Sequence, residues 1–477
     1  MSRLSHAIRL ESALFRHPPE VCRRVGKVTS LVYCDRTDIG RRRSNNQDSK
    51  AVLPASPQQF RTRGWLFIVA DGMGAHAAGE LASAIVADRA PKIYEQRSEF
   101  SPPLALRMSL ERTNAEINAK GESGHEFKGM GTTCTTLVLL PRGAIVGHVG
   151  DSRCYRIRDR RIEQLSRDHS LVWELETAGG MSREQANDAA PKNIITRSMG
   201  PHPHVDVDLE GPFPVTTGDV FLLCSDGLSG QVADEEIGLL AAELEPQEAV
   251  PALIGLALVR GAPDNVTVIV ARAGEEEASK PSRSDAAWPL SEEATTNQRQ
   301  ASRSWIALTF AAACLLAALM FNPYSQLTRE LCRSELMHAV CMFGSLGALI
   351  AGIAALLMAV LGFLAPSPSR GRMLHAGEML GKGPYRRYDC TPTEQLLERI
   401  VTSIERSAEE LPAADRDRTV TIVSRARQHA AAGAFHEAVT AAAEAIAIHT
   451  KAVEAARSDV TNITPKSSAG SPPPGHA

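Results

Sequence analysis

The segment Trp65-Leu66-Phe67-Ile68-Val69-Ala70-Asp71-Gly72-Met73-Gly74 runs apolar residues straight into an acidic one. A short apolar run bounded by Asp and Gly reads as a buried strand ending in a turn. The junction recurs along the chain. Ala144 to Gly150 ends at Asp151-Ser152-Arg153, Val220 to Ser225 ends at Asp226-Gly227, and Asp264-Asn265 opens Val266 to Val270. A carboxylate at the end of a buried strand lies at the rim of a core, where charge is costly to bury. One Asp-Gly pair alone is usually a turn, but this repetition asks for a compensating cation. Oxygen-only ligands suit Mg²⁺ or Mn²⁺, so the pattern points to a carboxylate-metal enzyme. Asp71 is the best bridge between two ions, because Gly72 beside it exposes a backbone carbonyl as a further hard ligand. Asp226 and Asp264 would complete the first ion. Two such ions about 4 Å apart hold a water, lower its pKa and clamp a phosphoryl group.

The chain has 477 residues, too many for one typical domain. Its formal charge of -3 gives no sign of nucleic-acid binding, and Arg41-Arg42-Arg43 is too short to argue for a polyanion. The nine cysteines show no CxxC pair, which speaks against a disulfide framework and a thiolate zinc site and for a reducing compartment. Residues 1–27 lack a sustained apolar core and read as a loose polar extension rather than a signal peptide.

Strand and helix patterns alternate over residues 28–273. Gly79 to Tyr94 and Leu104 to Lys120 read as helices, Thr132 to Leu140 and Ala144 to Val149 as paired strands, and Asp234 to Ala242 and Pro246 to Arg260 as helices. Residues 274–303 have little to bury and read as a linker. Residues 304–321 and 339–365 are uncharged apolar stretches of bilayer-spanning length, ~30 Å of hydrocarbon being the target; the competing reading is a pair of buried soluble helices. Arg299 and Arg303 before the first stretch, and Arg370, Arg372, Lys382, Arg386 and Arg387 after the second, place both soluble parts on the cytoplasmic side, with 322–338 as an external loop. Gly344, Gly347, Ala348, Ala351 and Gly352 offer small residues for helix contact. After a basic segment, 366–388, residues 389–458 carry three helical patterns opened by a capping-box spacing at Thr391-Pro392-Thr393-Glu394. These read as a small helical bundle, or as one tetratricopeptide-type hairpin, with no partner named by the sequence. The Ser/Pro/Gly-rich tail, 459–477, reads as disordered.

The ordered set Arg43-Ser44-Asn45-Asn46-Gln47-Asp48, Asp71-Gly72-Met73-Gly74-Ala75-His76, Gly129-Met130-Gly131-Thr132-Thr133, Gly150-Asp151-Ser152-Arg153, Asp168-His169-Ser170, Ser225-Asp226-Gly227 and Asp264-Asn265 resembles the bacterial metal-dependent serine/threonine protein phosphatases of type 2C, the PPM-type domain. The resemblance spans about Leu31 to Arg272. It implies an α+β fold, a β-sandwich of two antiparallel sheets flanked by helices, with a metal cleft at one end. Here the two transmembrane helices and the small all-α region would follow. It implies that Asp71, the Gly72 carbonyl, Asp226 and Asp264 hold two core Mn²⁺ or Mg²⁺ ions. Asp48 would orient bound water, and Asp151 would serve a weaker third ion. Arg43 would bind phosphate, although Arg41 and Arg42 compete for the role. Leu171 to Met199 resembles a mobile flap near the substrate entrance. Three residues depart from the family pattern. Gln47 replaces the commoner Glu, Ala75 replaces a Gly, and Met73 stands where some relatives carry a proton-donating His, with His76 as a candidate substitute. The expected function is phosphoserine and phosphothreonine hydrolysis at the bacterial inner membrane. Membrane serine/threonine kinases are the suggested partners. The competing function is a phosphatase-fold scaffold that recruits partners there.

Overall fold

The computed structural model describes residues 23–24, 31–74, 78–191, 194–280, 286–320, 335–364 and 372–463. It divides into two compact units. One holds 1–98, 106–283 and 377–477; the other holds 99–105 and 284–376.

The first unit is built on strands β1 (Val32–Asp38), β2 (Asp48–Leu53), β3 (Trp65–Met73), β4 (Cys134–Leu140), β5 (Gly143–Val149), β6 (Arg153–Arg158), β7 (Arg161–Gln164), β8 (Asp208–Phe213), β9 (Val220–Cys224), β10 (Val266–Arg272) and β11 (Arg386–Asp389). One antiparallel sheet runs β8-β5-β4-β3-β2. The other runs β1-β10-β9-β6-β7-β11, with Arg23–Arg24 outside β1. The sheets face each other across Tyr33, Trp65, Phe67, Val69, Leu137, Val146, Phe221, Leu223 and Ile269, all buried. Alternation explains the two cores: in β9, Phe221 and Leu223 face the sandwich, while Val220, Leu222 and Cys224 face outward into a second cluster.

Besides the short helices Pro57–Thr62 and Arg183–Ala189, its helices before the apolar segments are α1 (Ala78–Gln96), α2 (Pro102–Glu122), α3 (Leu171–Gly179), α4 (Asp226–Ser229), α5 (Asp234–Glu243) and α6 (Pro246–Val259). Helices α7 (Glu292–Met320) and α8 (Glu335–Leu364) belong to the second unit; α9 (Glu394–Ala408), α10 (Ala413–Ala431) and α11 (Phe435–Ile463) return to the first. The second cluster buries α5 and α6 beneath Leu397, Ile400, Val401, Ile404, Val423, Val439 and Ile446. The C-terminal helices therefore cover the phosphatase-like sandwich itself. Gly255 marks how closely: a Cβ there would lie 2.6 Å from the Thr450 hydroxyl and well inside the radius of Ile446.

Several sequence expectations change. The 274–303 linker is built into structure over much of its length, since Ser279 N donates to Val215 O at 2.8 Å and Lys280 N to Pro141 O at 2.8 Å. Its second half is helical from Glu292. The cap of α9 is Thr393, whose hydroxyl accepts from Leu396 N at 3.1 Å, two residues beyond the expected Thr391. Thr391 instead bonds Asp389, which closes the turn after β11. Cys34 is disulfide-bonded, against the reduced reading.

In the second unit α7 and α8 pack along each other. Gly352 lies at that contact, where a Cβ would meet Ala311 O and Cys314 Cβ at 3.3 Å; around Gly344 and Gly347 there is open space. Among the described residues, Ala339–Val360 is the one helix long and apolar enough to cross a membrane, and Ser304–Met320 is a shorter apolar helix. Their outer faces expose Trp305, Phe310, Leu316, Phe343, Ile350, Ile353, Leu357 and Met358. Residues 1–22, most of 322–338, and 464–477 lie outside the described residues, as do Ala75 and His76.

Candidate active site

Each expected carboxylate is delivered by a strand end. Asp48 opens β2 and pairs in register with Asp71 near the end of β3. Asp151 follows β5, Asp226 follows β9 as the first residue of α4, and Asp264 precedes β10. Arg43 joins them by donating to Asp264 at 2.6 Å. Its neighbour Arg41 is turned to Glu410, so Arg43 is the arginine that meets the cluster.

The backbone fixes these groups. Asp71 N donates to the Thr133 hydroxyl at 2.9 Å, while Asp71 O accepts from Thr133 N at 2.8 Å. Gly72 leaves no room for a side chain, since a Cβ would lie 2.6 Å from Gln47 O. Ser225 donates its hydroxyl to Asp48 at 2.8 Å and accepts from Thr267 N at 3.0 Å, which ties β9 and β10 to the carboxylate. Asn265 accepts from Gln47 N at 2.8 Å and donates to Ile39 O and Asn45 O, pinning the Arg43–Asp48 loop. The Asp151 turn is held by His169. Its Nδ1 accepts from Gly150 N at 3.0 Å, so the proton sits on Nε2 and donates to Asp208 at 3.0 Å. Burial alone would raise the Asp208 carboxyl, but the bonds from His169 and Arg197 outweigh it and hold it well below its ordinary range.

Sequence reasoning missed a second polar layer. Arg153 donates to Asp168 through Nε at 2.9 Å and Nη2 at 2.6 Å. It also meets the Tyr155 hydroxyl, which donates to Asp234 at 2.6 Å. Every member is buried. The Asp151-Ser152-Arg153 and Asp168-His169-Ser170 motifs carried this signal, but a role was read only for Asp151, and Asp168-His169-Ser170 served only the family resemblance.

The cluster is electrostatically unfinished. Burial, then mutual repulsion, raises the carboxyls of Asp71, Asp151 and Asp226, and burial raises that of Asp48 against the bonds it accepts. One oxygen each of Asp48, Asp151 and Asp226 is buried with no donor. Orphaned acceptors in an all-oxygen set fit a hard divalent cation. Among the described residues no three acidic, His or Cys side chains form a closed ligand set, so carbonyl and water ligands would have to complete any shell.

A family model described as protein phosphatase 2C matches residues 40–252. The serine/threonine phosphatase stp of Listeria monocytogenes is 34% identical over 240 residues, 49% of this chain and 93% of that protein. The chain belongs to the protein phosphatase 2C family. Protein phosphatase PhpP of Streptococcus pneumoniae is 35% identical over 252 residues, 51% of this chain and 97% of that protein. Among solved structures, the Mycobacterium tuberculosis serine/threonine phosphatase PstP/Ppp aligns with 36% identity and a TM-score of 0.46, covering 51% of this chain and 99% of that one. The catalytic domain of PstP in complex with two manganese ions aligns with 34% identity and a TM-score of 0.43, covering 51% and 99%. The expected enzyme class, a protein serine/threonine phosphatase, and the expected cofactor, Mn²⁺ or Mg²⁺, follow with the family. These matches span the 2C domain and leave the C-terminal half of the chain without a counterpart among them.

Proposed function

We propose that this chain is a membrane-anchored, metal-dependent phosphatase acting on phosphoserine and phosphothreonine in proteins. The observation that carries the reading is the convergence of Asp48, Asp71, Asp151, Asp226 and Asp264 beside Arg43, with buried carboxylate oxygens that face no donor. Asp71, the Gly72 carbonyl, Asp226 and Asp264 would hold two core Mn²⁺ or Mg²⁺ ions, and Asp151 a weaker third. Bound there, the ions supply positive charge at the phosphoryl group and an acidified water. The protein groups do the rest. Asp48, fixed by Ser225, keeps one buried acceptor without a donor, which would orient the attacking water. The Arg43 guanidinium is 47% exposed, so it can turn from Asp264 to grip two phosphate oxygens. Met73 pairs in register with Gly131 at the site's edge and has no proton to give; His76, the candidate substitute, lies outside the described residues. A scaffold without activity is disfavoured because no expected carboxylate is missing.

Chain topology supports the two-span anchor. β11 lies after the apolar hairpin in sequence, yet it hydrogen-bonds to β7 of the sandwich. A single sheet cannot straddle a bilayer, so the intervening chain crosses an even number of times. If Ala339–Val360 crosses, then Ser304–Met320 is the return span, 322–338 is external, and the basic flanks put both soluble parts in the cytoplasm. Membrane serine/threonine kinases and their targets are the substrates this location favours.

The test is turnover of a phosphothreonine peptide by the detergent-solubilised full chain with Mn²⁺. Activity lost with EDTA and in Asp226→Asn supports the reading; undiminished turnover in either overturns it.

A further inference from the structure

The segment that follows the membrane hairpin reaches the active-site cleft. Glu210 on β8 is 3% exposed and accepts from Lys382 N and Gly383 N, each at 2.9 Å, and from the Tyr385 hydroxyl. A side chain at Gly381 would collide with that carboxylate. Beyond this anchor β11 pairs with β7 from Arg386↔Gln164 to Asp389↔Arg161. The register sends Arg386 over α3, the first helix of the flap. There its guanidinium lies 3.9 Å above the Trp173 ring and is ion-paired with Glu176 one turn later. Tyr385 also meets Trp173, its ring 6.0 Å away and nearly perpendicular. Arg386, Trp173 and Glu176 line the same cleft, about 540 Å³, as Arg43, Asp151 and Asp226.

We propose that Arg386 is a positioning residue for the phosphatase reaction, one that sets the affinity for phosphoprotein substrates by clamping α3 at the cleft wall. The proposal rests on the phosphatase reading of the site. Its physical content is a planar cation held between an aromatic face and a carboxylate, away from bulk water. Stacking and pairing of that kind reinforce each other when both are shielded. Arg386 touches no metal carboxylate, so its effect falls on a substrate long enough to lie along α3. The segment after the membrane therefore completes the substrate side of a site whose chemistry is encoded more than 100 residues earlier.

The test compares Arg386→Ala and Arg386→Lys in the detergent-solubilised full chain on two substrates. A phosphothreonine peptide reaches α3, whereas p-nitrophenyl phosphate reaches only the carboxylate end. For Arg386→Ala the peptide KM should rise about 10-fold, with the loss in kcat/KM on peptide at least five times that on p-nitrophenyl phosphate. Such a shift corresponds to about 1.4 kcal/mol. Arg386→Lys keeps the charge for Glu176 but loses the flat stack, so it should fall between wild type and Ala. Hydrogen–deuterium exchange gives a readout free of catalysis: the amides of 171–179 should exchange faster in Arg386→Ala while those of β3 and β9 do not. Equal losses on both substrates, or unchanged exchange in α3, would overturn the clamp. If wild type turns over neither substrate, the phosphatase reading fails and the exchange data still decide whether the clamp exists.

Discussion

Gly255 gives a sharp test of how the C-terminal helices belong to the enzyme. It sits inside α6, where Gly is worse than Ala by about 1 kcal/mol of helix propensity. Leu is nearly as good a helix former as Ala. Were this face of α6 open, Gly255→Ala and Gly255→Leu would each stabilise the protein by about 1 kcal/mol. The structure instead places Ile446 and Thr450 of α11 against the glycine, with the Thr450 hydroxyl 2.6 Å from an added Cβ. Overpacking of a filled core costs about 1–3 kcal/mol. Ala should therefore end net destabilising by up to about 2 kcal/mol, and Leu should cost more, since its further carbons push α11 away. Ile446→Ala in the Gly255→Ala background should then cost less than the about 2–5 kcal/mol expected of a core Ile truncation. Urea unfolding of the full chain in micelles, followed by tryptophan emission, reads wild type, the two glycine variants, Ile446→Ala and the double variant. If both glycine substitutions raise the midpoint, or if the pair is additive, the close approach of α11 is wrong.

Mn²⁺ should raise the unfolding midpoint of wild type with concentration and leave Asp226→Asn unmoved, because only a site that binds the ion in the folded state gains by mass action. Differential scanning fluorimetry checks this without any turnover. Arg43→Ala should mainly raise the peptide KM, since a phosphate contact present in the ground state is uniform binding; steady-state kinetics with unchanged KM and kcat would show the arginine misassigned. Glu236 is pushed up by burial but held lower overall by Arg260, with Arg399 adding to it from the C-terminal α9. A depressed carboxyl contributes stability above its unfolded pKa of about 4.3 and loses it as pH falls through the folded value. The gap in unfolding midpoint between wild type and Glu236→Gln should therefore be largest near neutrality and close below pH about 4. For topology, Cys390 is buried and cannot report. Val420→Cys is the better inward probe, because Val420 is 45% exposed. An impermeant maleimide should label Cys332 in intact cells and Val420→Cys only after permeabilisation.

The site was legible because its chemistry sits where sequence is most explicit. An apolar run that stops at Asp-Gly announces both a strand and the carboxylate at its end, so Asp71, Asp151 and Asp226 could be named without a structure. Register was not legible. Nothing local says that Asp48 faces Asp71 across two strands, because pairing is settled by side chains packed on both faces at once. The cap at Thr393 was missed for a related reason. Thr391 and Thr393 both suit a helix N-terminus, and the choice between them was made by Asp389, which takes Thr391 into the turn after β11. Gly344, Gly347 and Gly352 look alike in sequence, and only the crossing of α7 and α8 separates the one in contact from the two in the open.

The larger miss was to treat the C-terminal helices as a region awaiting a partner. Three helical patterns were expected there, and the surface that covers their apolar faces lies on α5 and α6, over 130 residues earlier in the chain. The sign was present in the earlier helices. α6, PQEAVPALIGLALV, is apolar on nearly every side, and such a helix must be covered all round. One face packs on the sheet, and the other is closed by α9 and α11. Gly238 tells the same story in α5, where a Cβ would lie 2.7 Å from that of Cys390. Cleaving the chain after Arg272 would uncover the face of α6 around Gly255, which Ile446 and Thr450 close, along with the far side of β7. That makes the isolated 2C domain a poor surrogate for this enzyme. Its outer sheet edge, the C-terminal cover of its second core and the Arg386 wall of its cleft are supplied by chain that lies beyond the apolar hairpin in sequence.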